Sequence, residues 1–487
     1  MQTQLFIDGK FVAAEDGATL PSINPHDGRT ITDVAMAGKA DIDAAVAAAR
    51  KAFPSWSRLA AMERGRLLLK LADKIEANAE ELARLESLDT GHPLRDTRKL
   101  DVPRTAVTFR YFGGMADKLE GSVIPVESGF LNYLLREPLG VVGQIVPWNF
   151  PLMFTSWKMA PALAAGNCVV MKPAELTPLS SLRIAELMAE VGFPDGVVNI
   201  LPGLGAVAGQ ALAEHPDIDK VAFTGSTAIG RRVVAASADN LKKVQLELGG
   251  KGPNIVFADA NLNAAVNGSA FAIFHNQGQA CIAGSRLVLH EDIAQEFLDR
   301  FLELTRSIRI GDPLREETEL GPLTSALHRD RVLSYVDVAV REGGEILSGG
   351  RAPQAAALSK GCYVEPTVVK AKPSDRVCQE EVFGPFVTVN VFRTDEEALA
   401  IANGTPYGLG AGLWTSNLAR AHRIARDIRS GMVWINCYKR VNPASPFGGT
   451  GASGYGREMG FEVMREYTQP KSIWVNVDAA IPPAYPR

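Results

Sequence analysis

Cysteine is scarce in this chain, and the few cysteines lie far apart. The 487 residues contain five, an odd number, at Cys168, Cys281, Cys362, Cys378 and Cys437. They form neither a Cys-x-x-Cys pair nor a cluster with histidine, so a disulfide framework and a structural zinc site are not indicated. This pattern favours a reducing compartment, and we predict no metal site.

Long apolar runs and an excess of one charge are also lacking. No run reaches the ~18 apolar residues that a bilayer-spanning helix needs. The first ten residues have neither an apolar signal core nor a basic leader. The 51 Lys and Arg residues nearly balance 55 Asp and Glu, for a net charge of −4. We therefore predict a cytoplasmic protein with no membrane or nucleic-acid partner.

What is present is a large apolar fraction, 46% of the residues. At ~100–200 residues per domain, the length predicts two to four domains. The amino-terminal part is predicted as a short hairpin near residues 5–13 followed by helices, the first capped by Asp41 and running to Ala52. The next two helices are predicted at 61–88 and 95–118.

From residue 139 onward, strands and helices alternate, which predicts parallel sheets covered on both faces. A hydroxyl cap at Thr177 followed by Pro178 predicts one helix start. Residues 442–456 are predicted as a loop. The predicted strands are 139–146, 168–172, 197–201, 220–224, 244–248, 284–289, 362–370, 386–392, 409–415 and 472–476, and the predicted helices are 152–165, 262–276, 292–307, 326–342, 395–402 and 417–428.

One cysteine lies in a sequence context that suggests chemistry. Cys281 follows a small, flexible Gly-Gln-Ala stretch, which leaves room for a substrate to reach its sulfur. Upstream, Glu247 ends an apolar segment closed by two glycines. A thiolate is a strong nucleophile, and a carboxylate can activate the water that later releases a bound acyl group. Taken alone, however, a cysteine is more often simply packed in a core.

Residues 223–230 (FTGSTAIG) follow a predicted strand and open a predicted helix. Gly225 and Ser226 in this segment favour close approach of a phosphate to a helix N-terminus. Residues 203–209 offer a competing glycine pattern. Spacing alone would also make Glu247 the ribose-binding acid of a dinucleotide fingerprint, which leaves two roles open for that residue.

Seven short motifs together resemble the aldehyde dehydrogenase superfamily over nearly the whole chain. They stand in the order typical of that family, and seven in sequence are far more specific than any one. They are residues 147–151 (PWNFP), 172–175 (KPAE), 223–226 (FTGS), 247–251 (ELGGK), 278–281 (GQAC), 381–385 (EVFGP) and 446–449 (PFGG).

The resemblance implies a mechanism and resolves the two roles of Glu247. Cys281 would attack the aldehyde carbon, and the Asn149 amide with the Cys281 N–H would hold the oxyanion. After hydride transfer, Glu247 would activate water to hydrolyse the thioester. The implied fold is α/β, a Rossmann-like dinucleotide-binding domain with an α/β catalytic domain and a small β element for oligomerisation.

The resemblance also implies the cofactor. Lys172 and Glu175 would contact the adenosine ribose, where a carboxylate accepts hydrogen bonds from a diol but repels a 2′-phosphate. We therefore expect NAD over NADP. The implied cofactor contacts are Trp148, Lys172, Glu175, Gly225, Ser226, Gly249, Glu381 and Phe383.

The sequence indicates the substrate less clearly than the cofactor. By resemblance, an apolar tunnel would be lined by Phe150, Phe154, Trp157, Ile282 and Phe447, with Val441 where many relatives have an aromatic residue. Three cations, Arg104, Lys439 and Arg440, lie in segments that border the tunnel in the family. At the tunnel mouth they would favour an aldehyde that carries a carboxylate, such as a semialdehyde. The alternative is that they are surface cations of an enzyme for hydrophobic or aromatic aldehydes.

The predicted domains are an NAD-binding domain of residues 1–118 and 138–249 and a catalytic domain of residues 250–464. Residues 119–137 and 465–487 would form the oligomerisation element of a homodimer or homotetramer. Three rivals remain open: an acylating enzyme that uses coenzyme A, an NADP-linked enzyme, and a non-catalytic scaffold.

Overall fold

The computed structural model describes residues 1–481 and 484–485. Part of the proline-rich tail, for which we expected poor order or contact with a partner, lies outside the described residues. In chain order, the strands of the described part are β1 (Leu5–Ile7), β2 (Lys10–Val12), β3 (Thr19–Ile23), β4 (Thr30–Ala35), β5 (Ser122–Ile124), β6 (Phe130–Pro138), β7 (Val141–Ile145), β8 (Cys168–Lys172), β9 (Val198–Ile200), β10 (Lys220–Thr224), β11 (Lys243–Glu247), β12 (Pro253–Val256), β13 (Arg286–His290), β14 (Glu345–Ser348), β15 (Thr367–Lys370), β16 (Phe386–Phe392), β17 (Gly410–Trp414), β18 (Met432–Ile435), β19 (Gly454–Tyr455) and β20 (Thr468–Asn476).

Helices connect and cover these strands. In chain order, the α-helices of the described part are α1 (Lys39–Arg58), α2 (Ala61–Ala77), α3 (Ala79–Thr90), α4 (Leu94–Asp96), α5 (Val102–Met115), α6 (Pro151–Ala164), α7 (Leu179–Val191), α8 (Gln210–Glu214), α9 (Thr227–Ala236), α10 (Leu262–Phe274), α11 (Glu291–Ser307), α12 (Ala326–Arg341), α13 (Arg376–Gln379), α14 (Asp395–Asn403), α15 (Leu418–Asp427) and α16 (Glu462–Glu466). In this part of the chain, no helix is both long and apolar enough to span a membrane.

The first large sheet has eight strands in the order β19-β11-β10-β7-β8-β9-β1-β2. Its middle strands β11, β10, β7, β8 and β9 are parallel. Strands β7, β8 and β10 are buried along their whole length because helices cover both faces, as a run of apolar residues predicts. Their carboxyl ends therefore lie at one edge of the sheet, where an α/β fold binds its ligands.

The second large sheet has seven strands in the order β14-β15-β16-β13-β12-β17-β18. All neighbours are parallel except β14, which pairs antiparallel with β15. Two smaller sheets complete the structure: β3 pairs with β4, and β20-β6-β5 form a three-stranded antiparallel sheet. The predicted α/β fold class is confirmed.

The strands of each large sheet come mostly from one of the two large predicted domains. The exact domain bounds remain a prediction. The eight-stranded sheet takes its strands from residues 1–247 except β19, which comes from the later part of the chain and pairs with β11 at Glu247. The seven-stranded sheet uses residues 253–435, and the three-stranded sheet uses β5, β6 and β20.

Several predicted helix boundaries were wrong, for physical reasons. Helix α1 has Gly38 at its cap, and Asp41 lies inside the first turn, where its carboxylate accepts the Gly38 N–H at 2.9 Å. The helix predicted over 61–88 is divided at Asn78. The helix predicted over 95–118 contains a wide π turn at Thr97–Asp101, next to Pro103, which has no N–H to donate.

Other differences concern short elements. The helix predicted to be capped by Thr177 begins at Leu179, because the Thr177 hydroxyl instead donates to the carbonyl of Trp148 at 3.1 Å. The strand predicted over 362–370 begins only at Thr367, after a proline. Strands β3, β4, β12, β14 and β18 were not predicted, and β5 and β6 were predicted only as part of a β element without strand bounds. Strand β19 lies within the predicted loop 442–456.

Candidate active site

Cys281 lies in a tight turn that follows helix α10. The preceding residues Asn276, Gln277 and Gly278 all have left-handed backbone angles, with φ of +53°, +53° and +70°. This conformation costs energy for residues other than glycine. A side chain on Gly278 would also meet the Gly384 carbonyl at 1.9 Å, so the turn requires glycine at this point.

Hydrogen bonds hold the strained turn in place. The Asn276 amide donates to the Asn149 carbonyl at 2.8 Å, and the Gln277 amide donates to the Gly91 and Pro322 carbonyls, each at 2.8 Å. These bonds tie the turn to the loop after β7 and to two other segments. The position of the Cys281 sulfur is therefore determined by three separate parts of the chain.

Asn149 lies beside this turn. Its side-chain Nδ2 donates to the Gln279 carbonyl at 2.9 Å, and its Oδ1 has no hydrogen-bond partner among the described residues. Asn149 is buried, whereas the Cys281 side chain is only half-buried. The amide that was predicted to hold an oxyanion thus lies next to the residue that was predicted as nucleophile.

Glu247 ends strand β11 and is fully buried. Neither carboxylate oxygen has a hydrogen-bond partner in the described part of the chain. Burial, with a smaller effect from the Glu458 carboxylate, raises the pKa of Glu247 well above its usual value. A side chain on Gly448 would approach Glu247 Oε1 to 2.6 Å, so only a glycine loop lets the carboxylate fit here.

The electrostatics at Cys281 favour the neutral thiol. Burial raises the pKa of the Cys281 thiol to about 12, and the Glu247 and Glu381 carboxylates act in the same direction. Lys439 opposes this effect more weakly. The sulfur therefore requires a base or a nearby positive charge before it can act as a nucleophile.

A cavity of about 240 Å³ joins Cys281 and Asn149, whereas Glu247 is not part of its lining. It contains many of the residues predicted for catalysis and for cofactor contact. Its lining is Pro147, Trp148, Asn149, Phe154, Thr224, Gly225, Ser226, Leu248, Gly249, Cys281, His328, Arg331, Glu381 and Phe383. The sequence motifs did not indicate His328 or Arg331, because both lie on helix α12, outside every motif.

Ser226 is the cap of helix α9, and its hydroxyl accepts the Ile229 N–H at 3.3 Å. Gly225 precedes it at the end of β10, and its N–H donates to the Glu247 carbonyl at 3.0 Å. The remaining N–H groups of the first helical turn, together with the helix dipole, suit a negatively charged group. This end of the cavity therefore suits a phosphate.

Lys172 and Glu175 lie at the end of β8, on the same sheet edge but outside the cavity lining. The Lys172 ammonium contacts Glu175 Oε2 at 3.3 Å and the Gly203 carbonyl at 3.0 Å. Burial lowers the pKa of Lys172. The pair is thus preorganised beside the second glycine pattern, where it can meet a polar ligand.

Glu381 and Phe383 complete the cavity from the second sheet. Glu381 Oε1 accepts the Gly250 N–H at 2.8 Å, and burial raises the pKa of this carboxyl to about 7. A side chain on Gly249 would meet Glu381 Oε2 at 2.5 Å. The Phe383 ring packs edge-on against Trp148, with ring centres 5.4 Å apart.

The predicted tunnel residues form a row of aromatic rings. Successive ring centres are 6.4 Å apart for Phe150 and Phe154, 5.4 Å for Phe154 and Trp157, and 4.8 Å for Trp157 and Phe447. Phe154 reaches the cavity at Cys281. The buried Ile282 side chain lies near Gly410 of β17.

The three predicted cations are placed differently. Lys439 is buried, its Nζ has no hydrogen-bond partner among the described residues, and burial lowers its pKa to about 7. It lies close enough to Cys281 and Arg104 for both to affect that pKa. Arg104 is partly buried, and burial lowers its pKa too. Arg440 is exposed.

Arg440 and Val441 line a second cavity of about 320 Å³, beside edge strand β18. Phe447 reaches this cavity as well. The Arg440 carbonyl accepts the indole N–H of Trp434 at 2.9 Å. Of the three predicted cations, therefore, Lys439 lies near Cys281, Arg104 lies near Lys439 and Arg440, and Arg440 is exposed.

Two buried histidines near the site were missed by the sequence analysis. His275 directly precedes the strained turn, and His92 lies within 5.2 Å of it, measured between ring centres. The His92 Nδ1 pairs with Asp101 Oδ2 at 2.7 Å. A histidine six residues before Cys281 was a visible signal, but its partner was distant in sequence.

Comparison with known proteins is consistent with this geometry. The model of the aldehyde dehydrogenase family matches residues 11–473. An aldehyde dehydrogenase of Aspergillus niger is 46% identical over 480 residues, covering 98% of this chain and 96% of that protein. The crystal structure of PnpE from Pseudomonas sp. WBC-3 is 71% identical with a TM-score of 0.99, and each chain is covered completely.

Two solved structures of similar proteins contain a dinucleotide. PnpE has been solved in complex with nicotinamide adenine dinucleotide, again with 71% identity, a TM-score of 0.99 and full coverage of both chains. The NAD⁺ complex of an aldehyde dehydrogenase from Bacillus cereus is 45% identical, with a TM-score of 0.96 and 98% and 97% of the two chains covered.

Proposed function

This chain belongs to the aldehyde dehydrogenase family, and from that premise we propose that it oxidises a carboxylate-bearing aldehyde to the diacid with NAD. The general reaction is the oxidation of an aldehyde, with water, to a carboxylic acid. The observation that carries the finer proposal is the buried Lys439 ammonium, which has no hydrogen-bond partner among the described residues and lies close to Cys281 and Arg104.

The residues present suit a dinucleotide. The N-terminus of α9 at Ser226 suits its phosphates, and the Lys172–Glu175 pair suits the adenosine ribose. When bound, NAD supplies the acceptor for the hydride that leaves the substrate carbon. Glu381, held by the Gly250 N–H, suits the second ribose, and Glu175 disfavours a 2′-phosphate.

Cys281 and Asn149 carry the first chemical step in this proposal. Once the Cys281 thiol has released its proton to solvent, the thiolate adds to the aldehyde carbon and forms a thiohemiacetal, whose oxygen accepts hydrogen bonds from Asn149 Nδ2 and the Cys281 N–H. No described residue accepts that backbone N–H. Loss of hydride from the same carbon leaves a thioester on Cys281.

Glu247 carries the second step. Its carboxylate takes a proton from water, which attacks the thioester and releases the acid and the Cys281 thiol. The raised pKa of Glu247 makes it a stronger base than an exposed glutamate. A base in this position favours water over coenzyme A as the acyl acceptor. The presence of all three residues, Cys281, Asn149 and Glu247, argues against a non-catalytic scaffold.

The substrate carboxylate would be held by Lys439 and Arg104. Burial lowers the pKa of Lys439 to about 7 because its charged form is costly there, and an anion in the site would favour that charged form. A charge-assisted hydrogen bond contributes about 1.5–3 kcal/mol, which corresponds to roughly ten- to a hundredfold in affinity. The exposed Arg440 would attract anions only weakly.

The test compares two aldehydes of similar size, one neutral and aromatic and one with a terminal carboxylate. We expect higher kcat/KM for the acid-bearing aldehyde, and Lys439→Met should remove roughly ten- to a hundredfold of that preference. Lys439→Met keeps the length of the side chain but not its charge. The exposed Lys360→Met serves as the matched control and should change neither substrate.

The row of aromatic rings from Phe150 to Phe447 supports a second candidate, a dehydrogenase for hydrophobic or aromatic aldehydes. It predicts preference for the neutral aldehyde and no selective effect of Lys439→Met. No turnover of either aldehyde with NAD would instead favour the acylating or scaffold alternatives.

We also propose a homodimer or homotetramer assembled through the three-stranded sheet. This sheet exposes several large apolar side chains, namely Val123, Leu131, Leu135, Trp474 and Val475. Such a patch is typical of an interface. Light scattering of the wild type and Trp474→Glu tests this, and a monomeric wild type would contradict it. The cytoplasmic location stays a prediction.

A further inference from the structure

His328 lines the cavity that contains Cys281 but belongs to none of the sequence motifs. It lies in the first turn of α12, where the Ser325 hydroxyl caps the helix and accepts the His328 N–H at 3.3 Å. The side chain is half-buried, and its ring packs edge-on against Trp148 with ring centres 5.0 Å apart. The imidazole thus reaches the cavity wall from a helix turn whose backbone is held by its cap.

The imidazole is hydrogen-bonded to the backbone of a separate segment. Its Nε2 lies 2.7 Å from the carbonyl oxygen of Phe383. A carbonyl oxygen can only accept, so Nε2 carries the hydrogen. Burial lowers the pKa of His328 to about 4, and Arg331 acts in the same direction, so the ring is neutral near pH 7. His328 is therefore suited to donate a hydrogen bond and not to transfer protons.

The acceptor of this hydrogen bond has a strained backbone. Phe383 has a left-handed φ of +65°, which is costly for a bulky side chain and persists only where surrounding contacts hold it. The Phe383 ring packs against Trp148 and His328, with ring centres 5.4 and 6.0 Å apart. His328 therefore contacts both the ring and the carbonyl of the strained residue.

The loop of residues 381–385, which contains this strained position, reaches two parts of the active site. On one side, Glu381 Oε1 accepts the Gly250 N–H at 2.8 Å. On the other side, a side chain on Gly278 would meet the Gly384 carbonyl at 1.9 Å, so the loop packs directly on the turn that carries the nucleophile. That turn is also held by its own hydrogen bonds to other segments. A shift of the loop is therefore expected to affect Glu381 most.

We propose that His328 is a positioning residue that holds the loop of residues 381–385 in its strained form through the Phe383 carbonyl, so that Glu381 and the Phe383 ring are in place before the cofactor binds. This inference rests on the proposed function, because it takes both side chains as contacts of NAD. A hydrogen bond of this kind changes an equilibrium roughly three- to tenfold. No proton is transferred and no covalent bond is formed in this role.

Two substitutions separate the hydrogen bond from the ring packing. His328→Gln keeps an N–H donor but removes the ring, whereas His328→Phe keeps a ring but removes the donor. Because the proposed role depends on the donor, glutamine should preserve it and phenylalanine should not. His422→Phe on α15 is the matched control, because His422 is exposed and lies outside the cavity lining.

The first measurement is hydrogen exchange, followed by mass spectrometry, in the enzyme without cofactor. We expect the amides of residues 381–386 and of Gly250 to exchange roughly three- to tenfold faster in His328→Phe than in the wild type. His328→Gln and His422→Phe should exchange at the wild-type rate. Unchanged exchange in the rest of the chain shows that each variant is folded. Wild-type rates in His328→Phe would overturn the proposal, and so would equally fast exchange in His328→Gln.

The second measurement is the Kd for NAD, determined by isothermal titration calorimetry. It should rise roughly three- to tenfold in His328→Phe, because the loop must then be ordered when the cofactor binds. It should change little in His328→Gln and in His422→Phe. An equal rise in the glutamine and phenylalanine variants would assign the effect to the shape of the ring and contradict a donor role.

Glu381→Gln separates this inference from the function on which it rests. If Glu381→Gln weakens NAD binding while His328→Phe alters neither exchange nor binding, only the role of His328 fails. If His328→Phe speeds exchange of the loop but neither variant weakens NAD binding, the proposed cofactor contacts fail and the hold of His328 on the loop is supported.

Discussion

The two ends of the space around Cys281 are built in different ways. At the proposed dinucleotide end, three polar side chains already have protein partners: Ser226 caps α9, Lys172 contacts Glu175 and Gly203, and Glu381 accepts the Gly250 N–H. At the other end, the buried His275 and Lys439 have none among the described residues.

The two arrangements would select their ligands in different ways. A preorganised set of backbone groups and short side chains suits an invariant ligand, because little must move when it binds. A set of buried cations and bases without partners is unfavourable until an anion arrives, so it discriminates strongly against neutral molecules.

Cys281→Ala should abolish turnover, because Cys281 lies where both ends meet and supplies the proposed nucleophile. Removing a nucleophile typically costs on the order of 10⁴- to 10⁶-fold in rate. Binding of NAD, measured by quenching of tryptophan fluorescence, should change little because the dinucleotide contacts are intact. Turnover within tenfold of the wild type would contradict covalent catalysis by this residue.

Glu247→Gln should separate the two chemical steps. Loss of a general base costs about 10²- to 10⁴-fold, and here it should affect hydrolysis of the thioester more than its formation. Rapid-mixing absorbance should therefore show a burst of about one NADH per active site followed by slow turnover. Absence of both the burst and a rate defect would remove Glu247 from the mechanism.

Gly249→Ala should damage the dinucleotide end alone. The new methyl group would lie 2.5 Å from Glu381 Oε2 and displace it from the Gly250 N–H. Losing a hydrogen bond to a charged group lowers affinity roughly tenfold or more. We therefore expect a rise of this size in KM for NAD. The ratio between acid-bearing and neutral aldehydes should stay the same.

The matched control for that variant is Gly114→Ala, since nothing lies within 4 Å of a side chain at that helical position. Its KM for NAD should equal that of the wild type. An equal rise in both variants would mean that the contact with Glu381 is not the cause.

Glu175→Gln should have the smallest effect. Glu175 is partly exposed, so solvent screens its repulsion of a 2′-phosphate. We expect the ratio of kcat/KM for NAD over NADP to fall by a few-fold, roughly 1 kcal/mol or less. A ratio that stays constant would assign cofactor choice to other residues.

Short sequence motifs and apolar patterns were the basis for predicting the fold class, the buried parallel strands and the residues around the cavity. Trp148, Gly225, Glu381 and Phe383 all stand in short motifs, and they line one cavity with Cys281. Helix boundaries were less well predicted, because tertiary contacts override local preference. Thr177, for example, donates to Trp148 instead of capping its helix.

Sequence patterns alone were enough to predict the reactive groups and much of the alternation of strands and helices, because motif spacing and apolar periodicity are local properties of the chain. Which charges are buried together follows only from the folded arrangement of the chain. Lys439 and Arg440 are neighbours in sequence, yet one is buried and the other exposed. His92 and His275 are far apart in sequence, yet their rings meet. Burial and electrostatic coupling depend on what surrounds a side chain in space, and that is settled only when the chain folds.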